Sequence, residues 1–145
     1  MKKIFVAILL CSMYYSVSGK VTDTISYWHV QFNKNVILEL HQGMESYVLR
    51  LNTDTIGDDD IIGIRYSPGC LICSDCKSYL AVYTMDKRLV QYEDATGHWT
   101  PIRINFRRIL IEHDRRGESI FDLYFLVGNK LDPDRAVHVL RVQLE

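Results

Sequence analysis

Three cysteines within seven residues form the most specific chemical feature of the chain. Gly69-Cys70-Leu71-Ile72-Cys73-Ser74-Asp75-Cys76 reads C-x-x-C-x-x-C, and the fourth cysteine, Cys11, lies far upstream. Three thiols cannot all pair within one chain, so a single bridge has three pairings and leaves one thiol over. A local disulfide, Cys70–Cys76 or Cys73–Cys76, closes a small ring that removes little unfolded-chain entropy. Such a ring shapes the loop more than it stabilises the fold, and this is the reading the residues favour. Three thiolates with one histidine would instead complete a tetrahedral zinc shell. No histidine stands within five residues, so His29, His41, His98, His113 or His138 would have to arrive through the fold. The run lacks the fourth cysteine of an iron–sulfur site. Ser74 and Lys77, not histidine, follow the two C-x-x-C units, which excludes covalent haem attachment. The left-over thiol also leaves an intermolecular disulfide open.

Redox catalysis is a further reading of the same cysteines. The strand pattern Ile61 to Tyr66 leads into them and a segment of tied helix and strand character, Lys77 to Met85, leads out. That arrangement resembles the approach to a thioredoxin-like active site, and Thr100-Pro101 resembles the cis-proline element that faces such a site. The resemblance covers these two short elements alone and implies a thiol–disulfide role for Cys70, Cys73 and Cys76. The stretch from Cys76 to Pro101 is short for the helix, strand and helix that should intervene, so this reading ranks below the structural ring.

Other residues offer weaker chemistry. Asn52-x-Asp54-x-Ile56-Gly57 begins like an EF-hand loop, with Asp58 and Asp60 close behind. Calcium wants several hard oxygens, but Ile56 occupies a ligand position and Gly63 stands where a bidentate Glu is required. A solvated acidic turn is the expectation, with Asp54, Asp58 and Asp60 the residues of a non-EF calcium loop. Arg103, Arg107, Arg108, Arg115 and Arg116 cluster in sequence, but Glu112, Asp114 and Glu118 are interleaved and neutralise much of that charge. Neither G-x-S-x-G nor H-E-x-x-H occurs, and no spacing pairs a histidine with a carboxylate. Trp28, Trp99 and the tyrosines offer material for a carbohydrate platform, yet aromatics at alternating strand positions usually pack in a core.

These groups are positioned by a chain that reads as strands behind an export leader. Lys2 and Lys3, the apolar run Ile4 to Leu10 and the small residues Ser16 to Gly19 have the layout of a secretory signal peptide over residues 1–19. The apolar run is too short to span a bilayer. Leu9-Leu10 before Cys11 is a poor lipoprotein site, so lipid anchoring through Cys11 is not expected. The remainder, 20–145, is expected to form one domain that is periplasmic or secreted. No later stretch reaches transmembrane length. The whole chain of 145 residues carries 17 Lys+Arg against 18 Asp+Glu, a net charge of −1, so no basic field is available for nucleic acid. At 48% hydrophobic and 24% charged it is an ordinary globular composition.

Trp28, Val30 and Phe32 alternate with Tyr27, His29 and Gln31, and Asn33-Lys34-Asn35 turns into Val36 to Leu40. Further strands are expected at Tyr47–Leu51, Ile61–Tyr66, Tyr79–Met85, Leu89–Tyr92 and Ile102–Phe106. Arg108–Glu112 is expected to extend the last of these or to follow it after a bulge. Asp114 to Gly117 is expected as a turn, Ile120–Val127 as a central strand, and Val137 to the C-terminus as the last. Eight or nine short strands at this spacing predict an all-β antiparallel sandwich, immunoglobulin-like or jelly-roll-like, with a small barrel as alternative. The function expected is a non-enzymatic binding or assembly module of the cell envelope, meeting a protein or envelope component through sheet edges or loops, with no cofactor. The alternative is a thiol–disulfide or metal-binding protein built on Cys70, Cys73 and Cys76.

Overall fold

A computed structural model describes residues 25–67, 76–97, 100–128 and 130–145. The order is β1 (Tyr27–Phe32), β2 (Asn35–His41), β3 (Tyr47–Leu51), β4 (Ile61–Ser67), β5 (Lys77–Thr84), β6 (Leu89–Thr96), β7 (Ile102–Asn105), α1 (Arg107–Arg116), β8 (Ile120–Val127) and β9 (Val137–Leu144), with a 3₁₀ turn at Pro133–Arg135 before β9. Two sheets form, β2-β1-β4-β7 and β3-β9-β8-β5-β6. The molecule is an all-β sandwich, and the barrel alternative fails because the strands remain in two separate sheets.

Alternation in the sequence decides which side chains meet. Trp28 and Val30 of β1, Ile62 and Ile64 of β4 and Ile102 and Ile104 of β7 face one way. Leu80 and Val82 of β5, Leu123 and Phe125 of β8 and Leu140 and Val142 of β9 face them from the other sheet. Tyr66 and Phe125 join the layers, with ring centroids 5.0 Å apart, and Trp28 lies 6.5 Å from Phe125. Burying these faces is the dominant favourable contribution to folding.

Three expectations are corrected. The sandwich is not wholly antiparallel, because β3 runs parallel to β9, from Tyr47↔Leu140 to Leu51↔Leu144. β3 is reached by a change of sheet rather than by a hairpin, so the crossover and not a tight turn sets its direction. The strand expected at Leu89–Tyr92 runs on to Thr96, paired as Lys77↔Thr96 and Tyr79↔Asp94.

The third correction is α1, which occupies the segment read as strand and turn. Its sequence carries a helical stripe that short-range alternation hides: Phe106, Ile109, Leu110 and His113 fall at i, i+3, i+4 and i+7. Phe106 and Ile109 are fully buried. The N-cap is Phe106, which supplies no side-chain hydrogen bond, so the usual start signal is missing. The stop signal is present. Gly117 adopts the left-handed conformation at φ 70°, its N–H donates to the His113 carbonyl, and Arg115 and Arg116 complement the negative end of the helix dipole.

The segment of tied character from Lys77 to Met85 resolves as strand β5, followed by a turn with Lys87 at φ 61°. No helix leaves the cysteine segment, and no cis peptide bond occurs among the described residues. The thioredoxin-like arrangement is therefore not formed.

Candidate functional site

The residues singled out by sequence scatter. Cys70 and Cys73, the leader with Cys11, and Trp99 with His98 lie outside the described residues. Cys76 sits directly before β5, its carbonyl accepting a hydrogen bond from Gly97 N–H at 3.2 Å. Asp54, Asp58 and Asp60 do three separate jobs. Asp54 N–H donates to Asn52 Oδ1 in an Asx turn, and Asp58 pairs with Arg107 at 3.6 Å. Asp60 accepts from Asn33 Nδ2 at 2.7 Å and from Gly57 N–H at 2.9 Å, which holds its carboxyl below the usual value. No group of three or more His, Cys, Asp or Glu converges to hold a metal among the described residues.

Arg107, Arg108, Arg115 and Arg116 lie on α1, and Arg103 on β7. Arg107 meets Asp58, Arg116 meets Glu112, and Glu112 also binds Arg88 at 2.8 Å. Arg103 remains exposed on the outer face of the four-stranded sheet.

The structure assembles a different site on the outer face of the five-stranded sheet. In β5, Leu80 and Val82 point into the core, so Tyr79, Ala81 and Tyr83 must point away. Register places Tyr124 of β8 opposite Ala81 on one side and Tyr92 of β6 opposite it on the other. Four tyrosines therefore surround one small residue. Ala81 is fully covered, while Tyr92 is 50% exposed. Tyr83 and Tyr124 meet edge to face, centroids 5.6 Å apart at 89°. Two aromatic planes at that angle form a corner. Beside them opens a cleft of about 220 Å³ lined by Tyr83, Thr84, Met85, Lys87, Asp122, Tyr124 and Asp134.

The floor of the cleft is charged and fixed. Asp122, 8% exposed, accepts from His138 Nε2 at 3.0 Å and from Arg141 Nε at 2.7 Å through Oδ1, and from Arg141 Nη2 at 3.0 Å through Oδ2. Burial pushes the carboxyl up, but the Arg141 hydrogen bonds and the His138 and Arg141 charges outweigh it, leaving the acid below its ordinary value. The Asp122 carboxylate in turn raises Arg141. Tyr124 stacks against His138 at 5.0 Å, which limits how the imidazole can turn. Burial, and then Tyr124, push the Tyr83 phenol up, so it stays protonated at neutral pH and can donate a hydrogen bond.

Sequence reasoning missed this group. The bulge between Leu123 and Tyr124 shifts the register so that Tyr124 pairs with His138 while Asp122 pairs with Arg141. No linear spacing encodes that meeting. One signal was legible: Asp122 interrupts the otherwise apolar run Ile120–Val127. A carboxylate in a central strand needs partners. Trp28, offered as platform material, belongs to the core, whereas Tyr83, Tyr92 and Tyr124 lie outside it.

A second feature is the pair of edge strands β2 and β3, one from each sheet. Val36, Ile37, Tyr47 and Val48 are exposed there. The register shift in the β1–β2 pairing leaves Ile37 without a partner residue, a bulge that blunts the β2 edge.

The chain matches no protein-family model, and no curated protein is significantly similar to it.

Proposed function

We infer that this chain is an exported, non-catalytic binding module of the cell envelope, whose site is the outer face of the five-stranded sheet. The observation that carries the reading is the cleft at Tyr83 and Tyr124, floored by a carboxylate that Arg141 and His138 hold in place. Immobile side chains on strands suit recognition, because little conformational freedom is lost on binding. The same contacts argue against catalysis. Asp122 is held ionised by Arg141, which makes it a poor proton acceptor at neutral pH.

Export rests on Lys2, Lys3 and the Ile4–Leu10 run. The spacing of Cys70, Cys73 and Cys76 favours a local disulfide ring over a metal or redox centre. The test is retention of the purified exported protein on isolated envelope fractions, compared with Tyr124→Ala. Retention lost in the variant is expected; equal retention of both proteins removes the assignment of this face. Intact mass before and after alkylation reads the cleavage site and the number of free thiols.

A further inference from the structure

We propose that the cleft binds a neutral saccharide, one sugar ring seated in the corner made by Tyr83 and Tyr124 and a second reaching Tyr92. This rests on the reading of that face as a binding site and names its ligand class. Three properties select the chemistry. The first is the aromatic corner itself. A sugar ring presents a face of C–H bonds with slight positive charge, which suits the negative face of a phenol ring. Tyr83 and Tyr124, at 89° and 5.6 Å, offer one wall to that face and another to the ring edge.

The second property is the balance of donors and acceptors. A carboxylate has about four lone-pair sites. His138 and Arg141 occupy three of those on Asp122, which leaves one on Oδ2 among the described residues. Asp122 lines the cleft together with Asp134 and Lys87. Sugar hydroxyls both donate and accept, and this mixed set answers both.

The third property is charge. Asp122 and Asp134 stand against Arg141 and Lys87, so charges of both signs surround the cleft and no strong field of one sign selects an ion. A cation held between tyrosine rings would share the cleft with Lys87, and Asp122 already serves Arg141.

Size agrees with the assignment. About 220 Å³ is below the roughly 300–1,000 Å³ usual for drug-sized ligands, which suits a single ring and not a bulky cofactor. The footprint extends along the sheet. Tyr92 and Tyr124 lie opposite Ala81 on its two sides, two strand spacings or about 10 Å apart. Ala81 between them is fully covered, so the footprint is made of the flanking side chains and not of Ala81 itself.

The experiment is an amide-shift NMR titration of the purified exported protein. The probes are cellotetraose, maltotetraose, mannotetraose and tetra-N-acetylchitotetraose, with tetragalacturonate as the anionic and tetramethylammonium as the cationic comparison. At least one neutral oligosaccharide is expected to give saturable shifts centred on β5, β6 and β8. Tyr124→Ala should weaken that binding tenfold or more. Tyr124→Phe, which keeps the ring, and Arg103→Ala, on the opposite sheet, should each change it less than threefold. Near-UV circular dichroism checks that the variants remain folded. Silence from all four neutral probes, or equal binding by Tyr124→Ala, overturns the saccharide assignment. Saturable shifts at the same residues from tetramethylammonium alone overturn it too, while leaving the binding face intact. Failure of the binding face itself is read separately, from envelope retention that Tyr124→Ala does not alter.

Discussion

Trp28 offers a test in which two substitutions at one position pull apart two physical effects. The side chain is 5% exposed and sits between the sheets, 5.5 Å from the Tyr66 ring and 6.5 Å from Phe125. Its indole N–H is buried and has no hydrogen-bond partner among the described residues. Trp28→Ala removes the whole ring and opens a cavity between the layers, at a cost of about 3–5 kcal/mol. Against a total stability of about 5–15 kcal/mol, that is a large fraction. Trp28→Phe keeps a ring against Tyr66 and Phe125 and loses the second ring, which alone would cost on the order of 1–2 kcal/mol of burial and packing. It also removes the unpartnered donor, whose burial costs about 1–3 kcal/mol. The two nearly cancel, so Trp28→Phe should lie within about 1 kcal/mol of the natural protein. Urea unfolding followed by far-UV circular dichroism reads both, with equal m-values required for the comparison. A Phe variant as unstable as the Ala variant would refute the reasoning, since it would mean that the N–H contributes to stability. A loss under 1 kcal/mol for Trp28→Ala would remove Trp28 from the core.

The Asp122 cluster predicts a pH dependence of defined sign. The folded-state carboxyl lies below its ordinary value of 3.8, so its contribution is present above that pH and is lost as pH falls below it. The stability difference between the natural protein and Asp122→Asn should therefore shrink from pH 7 to pH 3 in urea titrations. An undiminished difference would show that the ion cluster is not its source. Gly117→Ala forces a side chain into the left-handed conformation at φ 70° and should destabilise by about 1–2 kcal/mol in thermal melts. No change would mean that the C-terminal turn of α1 relaxes freely. Cys76→Ser should leave cooperative unfolding intact, because a ring of this size constrains the unfolded chain little, and a non-cooperative melt would make that loop structurally central.

Period-two alternation already made the architecture legible. Trp28, Val30, Ile102, Ile104, Leu123 and Leu140 were readable as core because a strand sends successive side chains to opposite faces, whatever it pairs with. The turn at Asn33 and Lys34, both at positive φ, was likewise announced by its own residue types. α1 was half legible. Its stripe and Gly117 are in the sequence, but ten residues after a true strand, without a polar N-cap, look locally like more strand. The binding face was not legible. Asp122 and Arg141 are nineteen residues apart, and Tyr92 and Tyr124 are separated by β7 and α1. Their meeting depends on strand order, on the Leu123/Tyr124 bulge and on β5 lying between β6 and β8. Local residue preferences fix what each strand buries. Which side chains stand together on the outside is decided by sheet order and register, and these are set by the packing of the whole core.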